Sequence, residues 1–147
     1  MHLEAYPLEF GDSLLTFEFV SEGPKGRLLK VIQFVEIEPG LYNLAFGDAE
    51  AVTGALNDTV VSNNSDSEKV LATVVGAVYA FCQQYPDAVV YATGSTAART
   101  RLHQMGLNRF LPAIVERVDL YGQQGDEWEV FQKEVTYAAF AARLKSF

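Results

Sequence analysis

The sequence predicts an α+β fold: a single domain, residues 1–147, with a mostly antiparallel twisted sheet in the element order β4-α-β-α-β2-α. Three observations lead to this fold class. Apolar and polar residues alternate before residue 62, as they do in strands with one buried face. A helical apolar pattern at 66–84 lies between two strand-like runs, which makes a crossover unit. A glycine-containing turn at 122–126 separates two further strand-like runs.

Four strands are predicted in the first half of the chain. The apolar residues Leu15, Phe17 and Phe19 alternate with their neighbours at the period of two that places one strand face in the core. The turns between the strands are rich in glycine and proline, and connections this short favour antiparallel neighbours. The predicted strands cover residues 15–20, 27–37, 41–46 and 59–61.

A long helix is predicted from about residue 66 to residue 84. Ser65 and Glu68 have the spacing of a capping box, and an apolar run follows them. Tyr85-Pro86-Asp87 is expected to end this helix, and the β-branched run 88–93 is typical of a central strand. The apolar stripe of the helix consists of Val70, Leu71, Val74, Val78 and Phe81.

A second, shorter helix, a hairpin and a third helix are expected to complete the fold. Ala98 and Leu102 are four residues apart on one helix face, and Gly106 is expected to end that helix. A hairpin over 113–133 is expected to form the last two strands of the sheet. The segment 137–145 is predicted to be a last amphipathic helix.

The charge balance argues against one broad class of partner. The chain has 19 acidic and 11 basic residues, which give a net charge of −8 at pH 7. Because broad nucleic-acid binding needs clustered lysine and arginine, we expect none. The longest apolar-rich segment, 70–82, is too short to span a bilayer, and no signal-peptide pattern opens the chain. We therefore expect a cytoplasmic protein without membrane contact.

The sequence predicts neither a metal site nor a cofactor. The chain has two histidines, His2 and His103, and the first lies in the terminal segment, which disfavours a histidine zinc site. The single cysteine, Cys82, lies in an apolar run and is expected to be a buried thiol without a disulfide partner. The acidic residues that suggest a cation site do not follow the spacing of a calcium loop; they are Asp48, Glu50, Asp58 and Asp66.

The stretch most informative for function is a corner where a predicted strand meets a helix. Gly94, Ser95 and Thr96 precede the helix start, where backbone N–H groups and the positive end of the helix dipole favour an anion. Arg99 and Arg101 follow and are suited to bidentate hydrogen bonds with such an anion. The alternative is structural, with a hydroxyl residue capping the helix and the arginines paired with acidic neighbours.

Asn63 and Asn64 lie in a second loop, which follows a predicted strand. If the two strands are neighbours, this loop and the corner meet at one sheet edge, where open sheets with helical crossovers bind ligands. We expect Arg101, which flanks the buried helix stripe, to be structural and Arg99 to be available to a ligand. The candidate ligand site consists of Gly94, Ser95, Thr96, Arg99, Arg101, Asn63 and Asn64.

From residue 27 onward the order of elements resembles the core of the GNAT acyltransferase superfamily. That core has three antiparallel strands, a long helix, a strand, a short helix and a closing hairpin. Aligning the family's Gly-Phe motif with Gly106-Leu107 places Ser95, Ala98 and Leu102 at the positions of its Asn, Ala and Tyr. The resemblance implies a general acid at the Tyr position, and Leu102 cannot donate a proton.

The loop before the long helix also departs from that superfamily. In the family this loop is rich in glycine and cradles the pyrophosphate of coenzyme A. Here residues 62–66 contain no glycine, and Asp66 adds a negative charge that repels phosphate. The two helices that cover the substrate in the family have no counterpart. The resemblance therefore implies a GNAT-like core without the acyl-coenzyme A loop.

Four segments of the chain resemble an uncharacterised family of small bacterial proteins, and this resemblance implies no particular activity. They are residues 42–48, 60–64, 69–74 and 94–102. We therefore expect a non-catalytic binding or protein-interaction domain, one part of a small two-component system, whose partner is an unidentified protein or a small anion. A homodimer is compatible with this reading. The alternative is a degenerate acyltransferase-like enzyme, or a nucleotide or anion binder that uses the helix start at 94–101.

Overall fold

The computed structural model of the protein describes residues 5–11, 13–49, 56–57, 66–93 and 97–145. In chain order the elements of this part are β1 (Glu9–Phe10), β2 (Thr16–Gly23), β3 (Gly26–Glu38), β4 (Leu41–Ala49), β5 (Leu56–Asn57), α1 (Ser67–Gln84), β6 (Val89–Ala92), α2 (Ala97–Val115), β7 (Val118–Gln124), β8 (Glu127–Val130) and β9 (Ala139–Leu144).

The described strands form one sheet in the order β1-β2-β3-β4-β6-β9-β7-β8, with β5 paired to β4. Every pairing is antiparallel except that of β4 with β6, which is parallel. The predicted α+β class with a mostly antiparallel sheet is therefore confirmed. Gly26 and Gly40 have φ angles of +87° and +79°, which allow the tight turns between β2, β3 and β4.

Helix α1 connects the two parallel strands and packs on one face of the sheet. A parallel pair cannot be joined by a tight turn, so the chain crosses over through this helix. Phe81 of α1 is fully buried and stacks on Phe34 of β3, with ring centroids 4.2 Å apart. The predicted helix at 66–84 is confirmed. Its apolar stripe packs against the aromatic side chains of β2, β3 and β4.

Helix α2 packs on the same face as α1. A second core cluster contains Leu120 of β7 and Phe140 of β9, and apolar residues of both helices pack against it. Val75 of α1 and Leu107 of α2 are among those residues. The opposite face of the sheet carries neither of the two described helices. Neither of them is long and apolar enough to cross a membrane.

The segment at the end of the described chain differs from its prediction. Residues 137–145 were expected to form a helix, but Ala139–Leu144 is strand β9, which lies between β6 and β7. Short side chains such as alanine favour a helix in isolation, and burial between two strands overrides that preference. The expectation that the hairpin 113–133 supplies the last two strands, and with it the predicted element order, is therefore wrong.

Helix α2 is also longer than predicted. It continues through Gly106 and Pro112 to Val115, so Gly106 is not a helix stop and the next strand begins at Val118 rather than at residue 113. A Cβ atom on Gly106 would lie 2.5 Å from Cδ2 of Leu71 in α1. The absence of a side chain at Gly106 therefore allows α1 and α2 to pack closely at this position. The predicted strand 59–61 and the capping serine at position 65 lie outside the described residues.

Candidate functional site

Five of the seven residues of the candidate ligand site lie outside the described part of the chain. Gly94, Ser95 and Thr96 lie outside the described residues, as do Asn63 and Asn64. Of the two arginines, the side chain of Arg99 is likewise outside the described part, whereas Arg101 is described.

Arg101 is exposed and lines a cavity between α2 and the segment 133–136. Neither a salt bridge nor a hydrogen bond connects it to another described side chain, and its expected structural role, which rests on packing beside the helix stripe, stays a prediction. The cavity has a volume of about 180 Å³, and polar residues from both sides line it. They are Arg101, Gln104, Asn108, Lys133, Glu134 and Thr136.

Gln104 holds the far wall of this cavity in place. Its Nε2 donates to the carbonyl oxygen of Val135, and its Oε1 accepts the backbone N–H of Tyr137 at 3.0 Å. The side chain is 7% exposed, so both hydrogen bonds are shielded from water. The hydroxyl of Tyr137 donates to Glu129 at 2.7 Å. Burial and this hydrogen bond raise the pKa of Tyr137 above its ordinary value of 10.0.

A polar cluster surrounds the start of α1. The hydroxyls of Tyr6 and Ser21 donate to Oδ2 of Asp66 at 2.5 Å and 2.6 Å. The backbone N–H of Tyr6 donates to Oγ1 of Thr73 at 2.8 Å. Asp66 directly precedes the helix, yet its carboxylate makes no capping hydrogen bond. A fixed carboxylate at this position disfavours a phosphate group at the helix start.

Sequence patterns did not reveal this cluster, because Tyr6 reaches Asp66 across 60 residues of chain. A tyrosine in an N-terminal segment without strand periodicity carries no signal of such a contact. The Nζ atom of Lys69 also lies 4.3 Å from the centre of the Tyr6 ring. Two effects raise the pKa of Tyr6 above its ordinary value of 10.0. Burial is the larger effect, and the hydrogen bond to Asp66 is the second.

Lys30 and Asp48 form a buried ion pair between neighbouring strands. They are register partners on β3 and β4, and Nζ of Lys30 contacts Oδ1 of Asp48. The side chain of Lys30 is 1% exposed and that of Asp48 is 16% exposed. Asp48 was considered as a cation ligand, and here it binds an amine instead. Among the described residues no group of three His, Cys, Asp or Glu side chains is arranged to hold a metal ion.

His103 and Cys82 differ in their exposure. His103 is exposed on α2. Cys82 is fully buried in α1, and its burial raises the pKa of the thiol to about 11. Because the thiolate is the reactive species, this thiol is inert at neutral pH.

The sheet face opposite both helices, called here the open face, exposes large apolar side chains. Successive side chains of a strand point to opposite faces, so Leu29 and Val35 of β3 lie on this face, whereas Ile32 and Phe34 point into the core. Leu29 and Val35 are 42% and 50% exposed. At the edge of the sheet, Trp128 and Val130 of β8 are 43% and 68% exposed.

Aromatic residues cluster on the open face above β9. The rings of Tyr91 and Trp128 have centroids 6.0 Å apart, although β9 and β7 lie between their strands. The small side chain of Ala141, the register partner of Tyr91, leaves room for this approach. On the same face, the guanidinium of Arg143 lies 5.4 Å from the centre of the Tyr121 ring. Arg143 also pairs with Asp119, with Nε 3.8 Å from Oδ2.

No curated protein and no solved structure matches the chain. A family match extends over residues 2–145, and that family is described as "Family of unknown function (DUF6934)". The prediction of a family without an assigned function is therefore confirmed. With a match over nearly its whole length, the chain belongs to the DUF6934 family.

Proposed function

We propose that this protein is a non-catalytic protein-interaction domain and that the open face of its sheet is the binding surface. The observation that carries the proposal is the exposure of Leu29, Val35, Trp128 and Val130 on the face that neither described helix covers. Exposed apolar side chains on one sheet face favour an interaction site, because contact with a partner removes them from water.

The residue types on this face support the same function. Tryptophan, tyrosine and arginine are the types that most often dominate the binding energy of protein interfaces. Trp128, Tyr91, Tyr121 and Arg143 lie together here, and the arginine is already held against a ring and a carboxylate. Because these side chains hold one another, binding costs less side-chain entropy.

The charge of the chain favours a partner with a basic periphery. The net charge is −8, and long-range attraction speeds the approach of an oppositely charged surface. On the open face itself, Arg143 is balanced by Asp119. The partner that fits has an apolar centre and a basic rim.

Three variants test this function. Val35→Ser and Trp128→Ala remove apolar surface from the open face, and Met105→Ser is the matched control because Met105 is 60% exposed on α2. Light scattering after size exclusion measures self-association, and capture with the purified tagged protein measures binding to other chains. We expect a complex that forms with the wild type and Met105→Ser and is lost in both open-face variants. A complex equally retained in all three would refute the proposal.

We also propose that the segment from residue 27 onward is a GNAT-like core that lacks acyl-transfer chemistry. The described elements that support it are the antiparallel strands β3 and β4, the long helix α1, the strand β6 and the helix α2. The carboxylate of Asp66 at the start of α1 supports the loss of pyrophosphate binding. Titration with acetyl-coenzyme A tests this second proposal.

A further inference from the structure

We propose that the cavity between α2 and residues 133–136 is a binding site for a small oxyanion, such as phosphate or a short carboxylate. Arg101 projects from α2 at one side of this cavity and Lys133 from the segment at the other. The site is independent of the open face, so its failure in a test leaves the proposed interaction function untouched.

Two basic residues line the cavity and form no ion pair within the described part of the chain. In this acidic protein, five basic residues form ion pairs within the described part: Arg27, Lys30, Arg109, Arg143 and Lys145. Arg101 and Lys133 form none there. Of the described residues that line the cavity, these two are basic and only Glu134 is acidic. An anion between them therefore meets a net positive wall.

The polar wall of the cavity contains an unpaired acceptor. Oδ1 of Asn108 is buried and has no hydrogen-bond partner. A buried polar atom is nearly always paired in a folded protein, so this acceptor in the cavity wall lacks a donor. The hydroxyl of a singly or doubly protonated phosphate is a donor of the kind that this oxygen lacks.

Hydrogen bonds fix the shape of the cavity before a ligand binds. Gln104 joins α2 to Val135 and Tyr137 through two shielded hydrogen bonds, which set the separation of the two walls. A wall that is fixed before binding costs little ordering when the ligand arrives.

The size of the cavity limits the ligand. Sites for drug-sized molecules occupy roughly 300–1,000 Å³. The volume of about 180 Å³ found here is below that range. It accommodates a small oxyanion and excludes an entire nucleotide.

Phosphate titration followed by NMR of the ¹⁵N-labelled protein, at constant ionic strength, tests the proposal. Arg101→Gln and Lys133→Gln remove one charge each. Arg109→Gln is the matched control, because Arg109 lies on the same helix, is 67% exposed and pairs with Glu68 instead of facing the cavity. We expect saturable shifts at the side-chain amides of Gln104 and Asn108. Affinity should fall about three- to tenfold in each cavity variant and stay unchanged in the control.

A parallel titration with acetate distinguishes the two ligand classes. Saturable shifts with both anions assign the site to small oxyanions in general, and shifts with phosphate alone restrict it to phosphate-like groups. Shifts that increase linearly without saturation would overturn the proposal, as would an equal loss of affinity in Arg109→Gln. A response to acetate but not to phosphate would assign the site to carboxylates and contradict the argument from Asn108, because acetate has no O–H donor for its oxygen.

Discussion

The hydroxyl of Tyr6 holds the carboxylate of Asp66 at the start of α1, with Oη and Oδ2 2.5 Å apart. The backbone N–H of Glu22 donates in turn to the same hydroxyl at 3.0 Å. One phenol therefore connects the N-terminal segment, β2 and the beginning of the long helix.

Removing this hydroxyl should destabilise the fold. We expect Tyr6→Phe to lower the free energy of unfolding by about 1–2 kcal/mol, because Asp66 and the N–H of Glu22 each lose a shielded partner. Tyr85→Phe is the control: its hydroxyl also donates a hydrogen bond, to the carbonyl of Ser13 at 2.7 Å, but at an exposed position. Its cost should stay below about 0.5 kcal/mol. Urea denaturation measures both, and equal losses would contradict the prediction.

Alkaline pH should weaken the fold through two buried phenols. The pKa values of Tyr6 and Tyr137 are raised above 10.0, first by burial and then by hydrogen bonds to carboxylates. The unfolded chain therefore releases these protons first, and stability is lost as pH rises from about 10 through the folded-state pKa values. A Tyr6→Phe/Tyr137→Phe double variant should lose less stability than the wild type over this pH range. Denaturation curves with the same pH dependence would be evidence against the effect.

Removing one partner of the buried ion pair Lys30–Asp48 should destabilise the fold more than replacing both partners with apolar residues. Lys30→Met leaves Asp48 without its cross-strand amine, and we expect a loss of about 3 kcal/mol. The double variant Lys30→Met/Asp48→Leu should recover part of that loss, because no uncompensated charge remains. The exposed pair Arg27–Glu22, with side chains 75% and 64% exposed, provides the control. Arg27→Met should cost less than about 0.5 kcal/mol, and thermal denaturation of all four proteins decides the ranking.

Two glycines should respond to alanine in opposite directions. A Cβ atom on Gly122 of β7 would lie 2.4 Å from the ring of Tyr137, so Gly122→Ala should destabilise by at least about 2 kcal/mol. Gly76, inside α1, has open space around its Cα. Gly76→Ala should therefore stabilise by about 0.5–1 kcal/mol through its helix propensity. Melting temperatures that shift in the same direction for both variants would contradict either the close contact at Gly122 or the open space at Gly76.

Acetyl-coenzyme A should not bind tightly. In the proposed GNAT-like core, the carboxylate of Asp66 lies at the helix start, where a phosphate would need N–H groups, and Leu102 offers no proton to a leaving thiolate. Isothermal titration should give no dissociation constant below about 10 μM, a value that corresponds to some 7 kcal/mol of binding. Saturable heat below that concentration would restore the acyltransferase interpretation.

The sequence predicts the parts of this fold in which local pattern and tertiary packing agree. The helix now seen at Ser67–Gln84 was predicted because its apolar spacing matches the face that it buries. The strands of the first hairpins were predicted because their alternation and their glycine turns agree. Where the local residue pattern and the tertiary packing favour the same element, a single sequence is sufficient to predict that element.

Long-range contacts account for what the sequence does not predict. The alanines of β9 favour a helix locally, and only pairing with β6 and β7 makes the segment a strand. The cavity beside Arg101 likewise depends on Lys133, which lies in a segment without any pattern of its own. No local period reveals a contact between residues that meet only after the sheet has formed.

The placement of β9 has a consequence for biosynthesis. This strand follows β7 and β8 in the chain but fills the gap between β6 and β7. Until the ribosome has released residues 139–144, both of those strands have an unpaired edge, and the sheet is divided into two halves. Unpaired edges recruit other strands, so a nascent or truncated chain that lacks this segment is prone to aggregation. The edges of β6 and β7 are therefore protected from aggregation only when β9, the last of the described strands, is inserted between them.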